Sequence, residues 1–281
     1  MKIWAFFLFL SFELLFARVP HTVPGSVLTI PYTFSNPVPT LFGHRAAACH
    51  RHGKKVWLLA VPLWVKPGRY SVTVPPKHLV VSVVPKAYKI QRIVLKNDRR
   101  VSPPRSVYVR LKREARRKKR AKAFRSASVA DADFIWPVKG VVSSAFGLRR
   151  FFNGKPRAPH RGLDIAASEG MPVRAASAGR VVEAGDFFFS GNLVFIEHGQ
   201  GLTSLYAHMS RIVVRPGDKV AKGQVIGYVG HTGRATGPHL HFGVLIDGAY
   251  VDPAALLPNK RVRRQPSAPK RNPRNELPKP S

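Results

Sequence analysis

The chain has 281 residues, 44% of them hydrophobic, enough for one large or two small domains with a true core. Its 47 Lys and Arg outnumber 14 Asp and Glu, giving a net charge of +33 and a pI near 11.4. One cysteine, Cys49, excludes an internal disulfide framework, and the charge points to polyanions: nucleic acid, anionic lipid surfaces or anionic cell-wall polymers.

The charge is unevenly placed. Residues 134–258 hold 13 basic and 8 acidic residues, and the rest of the chain holds 34 and 6. An ordinary domain is therefore flanked by polycationic segments.

In chain order, Met1-Lys2 followed by the apolar run Ile3–Phe12 reads as a secretory signal over residues 1–17. The run is shorter than the roughly 20 residues that span a bilayer. Leu15-Phe16-Ala17 is a poor cleavage site, so a membrane-anchored form stays open beside a cleaved one. Either predicts a periplasmic or otherwise extracytoplasmic protein.

Residues 20–97 predict a small β-sandwich. Val27–Ile30, Lys55–Val61, Tyr70–Val74, Leu79–Val84 and Gln91–Leu95 are strand-like, and Pro67-Gly68 and Pro75-Pro76 punctuate them. Cys49-His50-Arg51-His52 matches no standard zinc spacing and reads as an exposed basic loop. Residues 99–133 read as a basic linker. Its part 99–125 carries 13 Lys and Arg against Glu114, as a solvated linker, a basic surface helix or a docking segment for an anionic surface.

A second all-β domain is expected over 134–258, with short strands joined at glycines. Residues 259–281, with five prolines and eight basic residues, bury too little apolar surface to fold.

Histidine and acid fall in three places in this second domain: His160-Arg-Gly-Leu-Asp164, Tyr206-Ala-His208 and His239-Leu-His241. Residues i and i+2 of a strand face one side, so His239 and His241 point together while Leu240 and Phe242 turn away. Each place has a bland reading alone: a loop histidine, a turn-capping acid, a satisfied core histidine. Together they supply four imidazoles and a carboxylate. Catalytic zinc takes three N or O ligands and keeps a fourth position open, which two His and one Asp satisfy. There is no His-Glu-x-x-His motif, so a histidine pair must do the acid–base work. His198, before Gly199, reads as structural.

Ser144-Ala-Phe-Gly147, His160–Ala166, Gly170–Ala175, Tyr206-Ala-His208, Gly217–Val220, Gly227–Gly230 and Thr236–Phe242 together resemble the lysostaphin/LytM family of zinc peptidases over about 134–258. The resemblance implies an antiparallel β-sheet groove enzyme that hydrolyses peptide cross-links in peptidoglycan with one zinc ion per chain. It matches His160, Asp164 and His241 to the zinc ligands. His208 and His239 match the pair that handles protons and polarises the scissile carbonyl, without assigning which does which. His231 and Ala235 depart from the family's small polar residues and put fine substrate preference in doubt. Val23–Pro31, Leu59–Pro62, Lys66–Gly68 and Lys86–Gln91 resemble the small β domain before the peptidase domain in exported relatives, which there covers the groove or positions the enzyme.

Other readings compete. A non-enzymatic peptidoglycan-binding scaffold, or activator of another hydrolase, would usually lack the ligand set. A lipoyl- or biotin-carrier-like fold, prompted by Pro216–Gly223, leaves the histidines unexplained. A nucleic-acid binder lacks aromatic residues within the basic runs, so no specific nucleic acid is expected. The basic linker and tail fit an anionic envelope surface.

Overall fold

The computed structural model describes residues 19–32, 38–74, 77–94 and 101–259. The signal reading over 1–17 lies outside them, as does the tail reading apart from Asn259. No helix among the described residues is long and apolar enough to cross a membrane.

Among the described residues the regular structure is mostly strand, as expected. Its N-terminal part is a two-layer sandwich. One layer orders His21–Thr22, Lys77–Val83 and Gly68–Val74. The other orders Ala130–Asp131, Ala47–Arg51, Lys54–Ala60 and Val27–Pro31. Leu28, Ile30, Trp57, Leu59, Val72 and Val81 are buried between them.

One feature corrects the sequence reading. The exposed loop expected at Cys49–His52 is instead the strand Ala47–Arg51, paired with Lys54–Ala60, and Cys49 is fully buried. The alanines at 46–48 carry no β-branched signal, so the strand escaped notice. Its mark is the turn His52-Gly53, with φ of 50° and 72°. Two successive left-handed residues make the hairpin turn that follows strand twist, and glycine adopts the second at no steric cost.

In the basic stretch the surface-helix reading is the one realised. Tyr108–Ala123 forms a 16-residue helix, α1, docked on the large sheet. Lys, Arg, Ala and Leu are good helix formers, and Arg120 and Lys122 complement the dipole in the last turn. Docking comes from buried pairing rather than from caps. Glu114, 5% exposed, accepts from Arg110 Nε at 2.6 Å and from the Phe188 N–H at 3.0 Å. Arg117 grips both oxygens of Glu183, at 2.6 and 3.0 Å. Ala121 packs on Phe187, Leu193 and Phe195. Lys112, Arg113, Arg116, Lys119 and Arg120 remain exposed on the outer face.

The large sheet runs Val141–Ser144, Leu163–Ala166, His239–Ile246, Leu202–Met209, Gly191–Gly199, Gly179–Phe187, Lys219–Val220, with Ala249–Val251 paired to His239–Ile246. Its pairings are antiparallel. One face carries Ile165, Val194, Ile196, Tyr206, Leu240 and Phe242 into a core that also takes Ala47, Cys49, Leu58 and Ala60 from the sandwich. The two halves therefore share one core. A further tie is Ile90–Ile93, which leaves the sandwich and pairs in parallel with Arg149–Phe152. The other face of the sheet is a groove walled by α1.

Candidate metal centre

The register builds the site. Asp164 lies opposite His241, and His241 opposite Ala207 on the next strand. His239 shares the groove face with His241, while Leu240 and Phe242 are fully buried in the core. The period-two alternation read from sequence is thus realised.

His160 enters from the loop before Leu163–Ala166 and is 2% exposed. Its Nδ1 lies 2.7 Å from the Ala145 carbonyl. A carbonyl only accepts, so the proton sits on Nδ1 and the Nε2 lone pair faces inward. That Nε2 lies 2.9 Å from Asp164 Oδ1 and 3.0 Å from His241 Nδ1. The third side, His241 Nδ1 to Asp164 Oδ1, is 2.8 Å. Gly162 allows this closeness: a Cβ there would stand 2.4 Å from the Phe242 carbonyl oxygen and 2.9 Å from His241 Cε1.

His160, Asp164 and His241 form a group able to hold a metal ion. Three such atoms converging within about 3 Å repel unless a proton or a metal ion sits among them. Two nitrogens and one carboxylate oxygen are donors that zinc accepts. The residues present therefore fit the group.

Burial opposes charge on Asp164, but hydrogen bonds from His160 and His241, formed when protons rather than a metal sit between them and the carboxylate, outweigh it and hold its carboxyl well below the usual range. Burial lowers the pKa of His241 and takes that of His208 to about 3, with the neighbouring His241 and His239 adding to the latter. At neutral pH both rings present lone pairs.

His208 and His239 stand beside the triangle. Their ring centroids are 4.9 Å apart, and His239 Nε2 is 3.9 Å from Asp164 Oδ1. Each lies within 2.8 Å of a backbone carbonyl through Nδ1, His208 to Thr232 and His239 to Gly237. Both therefore keep Nε2 for the groove. His208 has φ of 66°, a left-handed conformation that costs a side-chain-bearing residue on the order of 1–3 kcal/mol. Alternation would point it with Tyr206 into the core; the kink turns it into the groove.

Sequence reasoning missed two residues. Arg150 donates to Asp164 Oδ2 at 2.5 Å, and its Nε donates to Gln91 Oε1 at 2.9 Å. Gln91 in turn donates to Ser144 Oγ at 2.8 Å. Neither carries a motif; both are brought in by the pairing of Ile90–Ile93 with Arg149–Phe152. His231 faces outward to Glu169 at 3.0 Å. His198 is buried, bonded to the Ala178 carbonyl and the Ser204 hydroxyl, and lies outside the site.

The groove has a volume of about 360 Å³ and contains His160, His208 and His241. Among the described residues, none from 19–94 lines it. The sandwich supports the site from behind and from the side.

Comparison with known proteins agrees with this geometry. The profile of peptidase family M23 matches residues 158–253. The peptidoglycan DD-endopeptidase ShyA of Vibrio cholerae is 43% identical over 112 residues, 40% of this chain and 26% of that protein. The DD-carboxypeptidase/endopeptidase Mpg of Neisseria meningitidis is 43% identical over 115 residues, 41% of this chain and 26% of that protein. The chain thus spans about a quarter of the length of these curated relatives. A crystal structure of an M23 peptidase from Pseudomonas aeruginosa has a TM-score of 0.63 and 32% identity, covering 83% of this chain and 93% of that one. With a likeness that takes in the sandwich as well as the groove domain, this chain belongs to peptidase family M23.

Proposed function

We propose that the protein is an exported zinc-dependent endopeptidase that hydrolyses peptide cross-links in peptidoglycan. The observation that carries this reading is the convergence of His160 Nε2, Asp164 Oδ1 and His241 Nδ1 at one end of an open groove, with two further imidazoles beside them. His160, Asp164 and His241 would hold one zinc ion. When bound, zinc supplies Lewis acidity, lowering the pKa of water towards neutrality and drawing charge from a carbonyl oxygen.

The chain's own residues supply the rest. The sheet face and α1 hold an extended peptide against the groove. His208 and His239 reach its scissile amide through Nε2, each with its Nδ1 proton fixed on a carbonyl. One takes a proton from water on that free Nε2 and returns it to the leaving amine, and the other, once protonated on Nε2 as well, donates to the oxygen that gains charge. The relatives named for peptidoglycan cleavage support the substrate class. Export rests on the N-terminal apolar run. The exposed Lys112, Arg113, Arg116, Lys119 and Arg120 of α1 fit an anionic envelope surface.

The test is release of muropeptides from purified peptidoglycan by the full chain, with and without a chelator. Cleavage that the chelator abolishes and zinc restores is expected. Cross-links that survive the zinc-loaded protein overturn the reading.

A further inference from the structure

The groove does not end at the candidate metal ligands. A second cavity of about 360 Å³ adjoins it and shares Pro159, Arg161 and Tyr250 with it. The strand His239–Ile246 sets the step between the two. His239, His241 and Gly243 share one face, and a Cβ at Gly243 would stand 3.7 Å from the Tyr250 ring. Tyr250 therefore covers the sheet two residues along from His241, about 7 Å away at roughly 3.4 Å per residue. The part of the cavity outside the groove reaches the sandwich at Pro62, Leu63 and Trp64. These residues lie in a turn in which the Val65 N–H donates to the Pro62 carbonyl at 3.2 Å. Val65 is buried, whereas Trp64 is 68% exposed, its ring edge-on to Phe42 at 6.1 Å.

Polar groups stand around this apolar wall. Lys122, from the last turn of α1, and Arg161, from the loop before Leu163–Ala166, lie over the same Tyr250 ring, 5.6 and 5.5 Å from its centroid. Burial lowers the pKa of Lys122, and the Arg161 charge adds to the effect. Neither side chain makes an ion pair or hydrogen bond among the described residues. Asp247, next to Gly248 of the lining, is already held by Arg45 and Arg125 at 3.3 and 3.5 Å. His44 supplies the opposite character. Its Nδ1 lies 2.9 Å from the Asp247 carbonyl. A carbonyl only accepts, so the neutral ring keeps Nε2 as an acceptor.

Donors and an acceptor around an exposed indole select among ligands. A bare anion matches the cations but leaves the indole face and the His44 acceptor unused. An apolar segment strips water from the cations without replacing it. A pyranose ring satisfies all three. Its face of weakly positive C–H groups suits the negative face of an aromatic ring, and its hydroxyls both donate and accept. An N-acetyl group adds a carbonyl that accepts from Lys122 or Arg161. The cavity volume lies within the usual range of small-ligand sites, about 300–1,000 Å³.

Resting on the peptidase reading, we propose that Trp64, Tyr250, Lys122, Arg161 and His44 form a glycan subsite, which binds an N-acetylated hexosamine of the strand that carries the substrate peptide. Peptide in the groove and sugar in the adjoining cavity belong to one substrate molecule. The protein therefore prefers cross-links that still carry their glycan over the same cross-linked peptides without it.

The experiment uses the full zinc-loaded chain and two cross-linked peptides. One carries its disaccharide; the other has had it removed and the freed amine acetylated, so that the two have equal charge. Binding is read by calorimetry and hydrolysis in parallel by product release. The glycan-bearing substrate should bind about tenfold tighter, the scale of one aromatic contact with one hydrogen bond. Trp64→Ala should erase that preference and Trp64→Phe should keep part of it. The exposure of Trp64 lets both variants fold, which their melting checks. Lys122→Gln should reduce the preference. Equal binding of the two substrates overturns the proposal, as does a preference that survives Trp64→Ala. Inorganic phosphate displacing the glycan-bearing substrate as well as the free disaccharide does also overturns it, since the cavity would then be an anion site. Preference in binding with neither substrate cleaved keeps the subsite and removes the peptidase reading; cleavage of both without preference does the reverse.

Discussion

Gln91 accepts a hydrogen bond from Arg150 Nε at 2.9 Å, and Arg150 donates to the outer oxygen of Asp164. A residue of the N-terminal half thereby orients a candidate metal ligand in the other half. Asp164 can offer Oδ1 to a metal only while Oδ2 is held. Partners behind a ligand are typically worth about 10–100-fold in metal affinity.

Gln91→Ala removes this support without changing the charge near the metal, which makes it cleaner than any change at Arg150. The expected result is a fold that melts as before and binds zinc about tenfold more weakly, measured by competition with a chromogenic chelator. Unchanged zinc affinity would detach the N-terminal half from the site.

The proposed function divides the work between the two histidines of one strand. His241 Nδ1 is 2.8 Å from Asp164 Oδ1 and 3.0 Å from His160 Nε2, whereas His239 Nε2 is 3.9 Å from that oxygen. His241→Ala should lose both zinc and hydrolysis. His239→Ala should keep one zinc per chain by metal analysis, while hydrolysis falls about 10²–10⁴-fold, the usual worth of a positioned proton-transfer group. Equal zinc loss from both variants would overturn the division.

Much of this was legible in the chain. Alternating Leu240 and Phe242 against His239 and His241 fixed which faces meet core and groove. Glycine-rich joins marked the turns, and the His160, Asp164 and His208 motifs fell where the register needed them. What stayed hidden was non-local. Gln91 and Arg150 meet because a strand of one half pairs with a strand of the other, and no periodicity encodes a partner 59 residues away. The dense positive charge of α1 looked like a solvated run because its partners, Glu183 and Asp186, lie far along the sequence. Ala46–Ala48 looked featureless because small residues are chosen where two layers approach closely, and they carry little strand propensity.

The shared core has a consequence for dissection of the protein. Leu58 is fully buried among residues of the groove domain, beside Cys49 and Ala60. Leu58→Ala should cost about 2–5 kcal/mol and lower a single calorimetric transition. Deleting residues 20–93 should leave the groove domain with its Ala132, Phe134 and Val138 surface uncovered and prone to aggregate. A groove domain that is soluble alone, melting as the whole chain does, would contradict this.

His198 sets an acid limit on stability away from the groove. It is buried against Phe134, and burial lowers its pKa to about 4 from 6.5, partly opposed by the Ala178 carbonyl that accepts its Nδ1 proton. The folded state therefore holds a neutral ring, while an unfolded chain takes up a proton below about pH 6.5. No penalty exists above that pH. It grows as pH falls towards 4 and levels off below, because stability drops wherever the unfolded state binds more protons. At pH 5 the loss attributable to this ring is about 2 kcal/mol, at about 1.4 kcal/mol per pH unit. His198→Gln should start less stable at pH 7.5, having lost its bonds to Ala178 and Ser204. It should then lose about 2 kcal/mol less than the native chain between pH 7.5 and 5, read as urea midpoints of the zinc-loaded proteins. Parallel losses in the two proteins would place the acid sensitivity in another group.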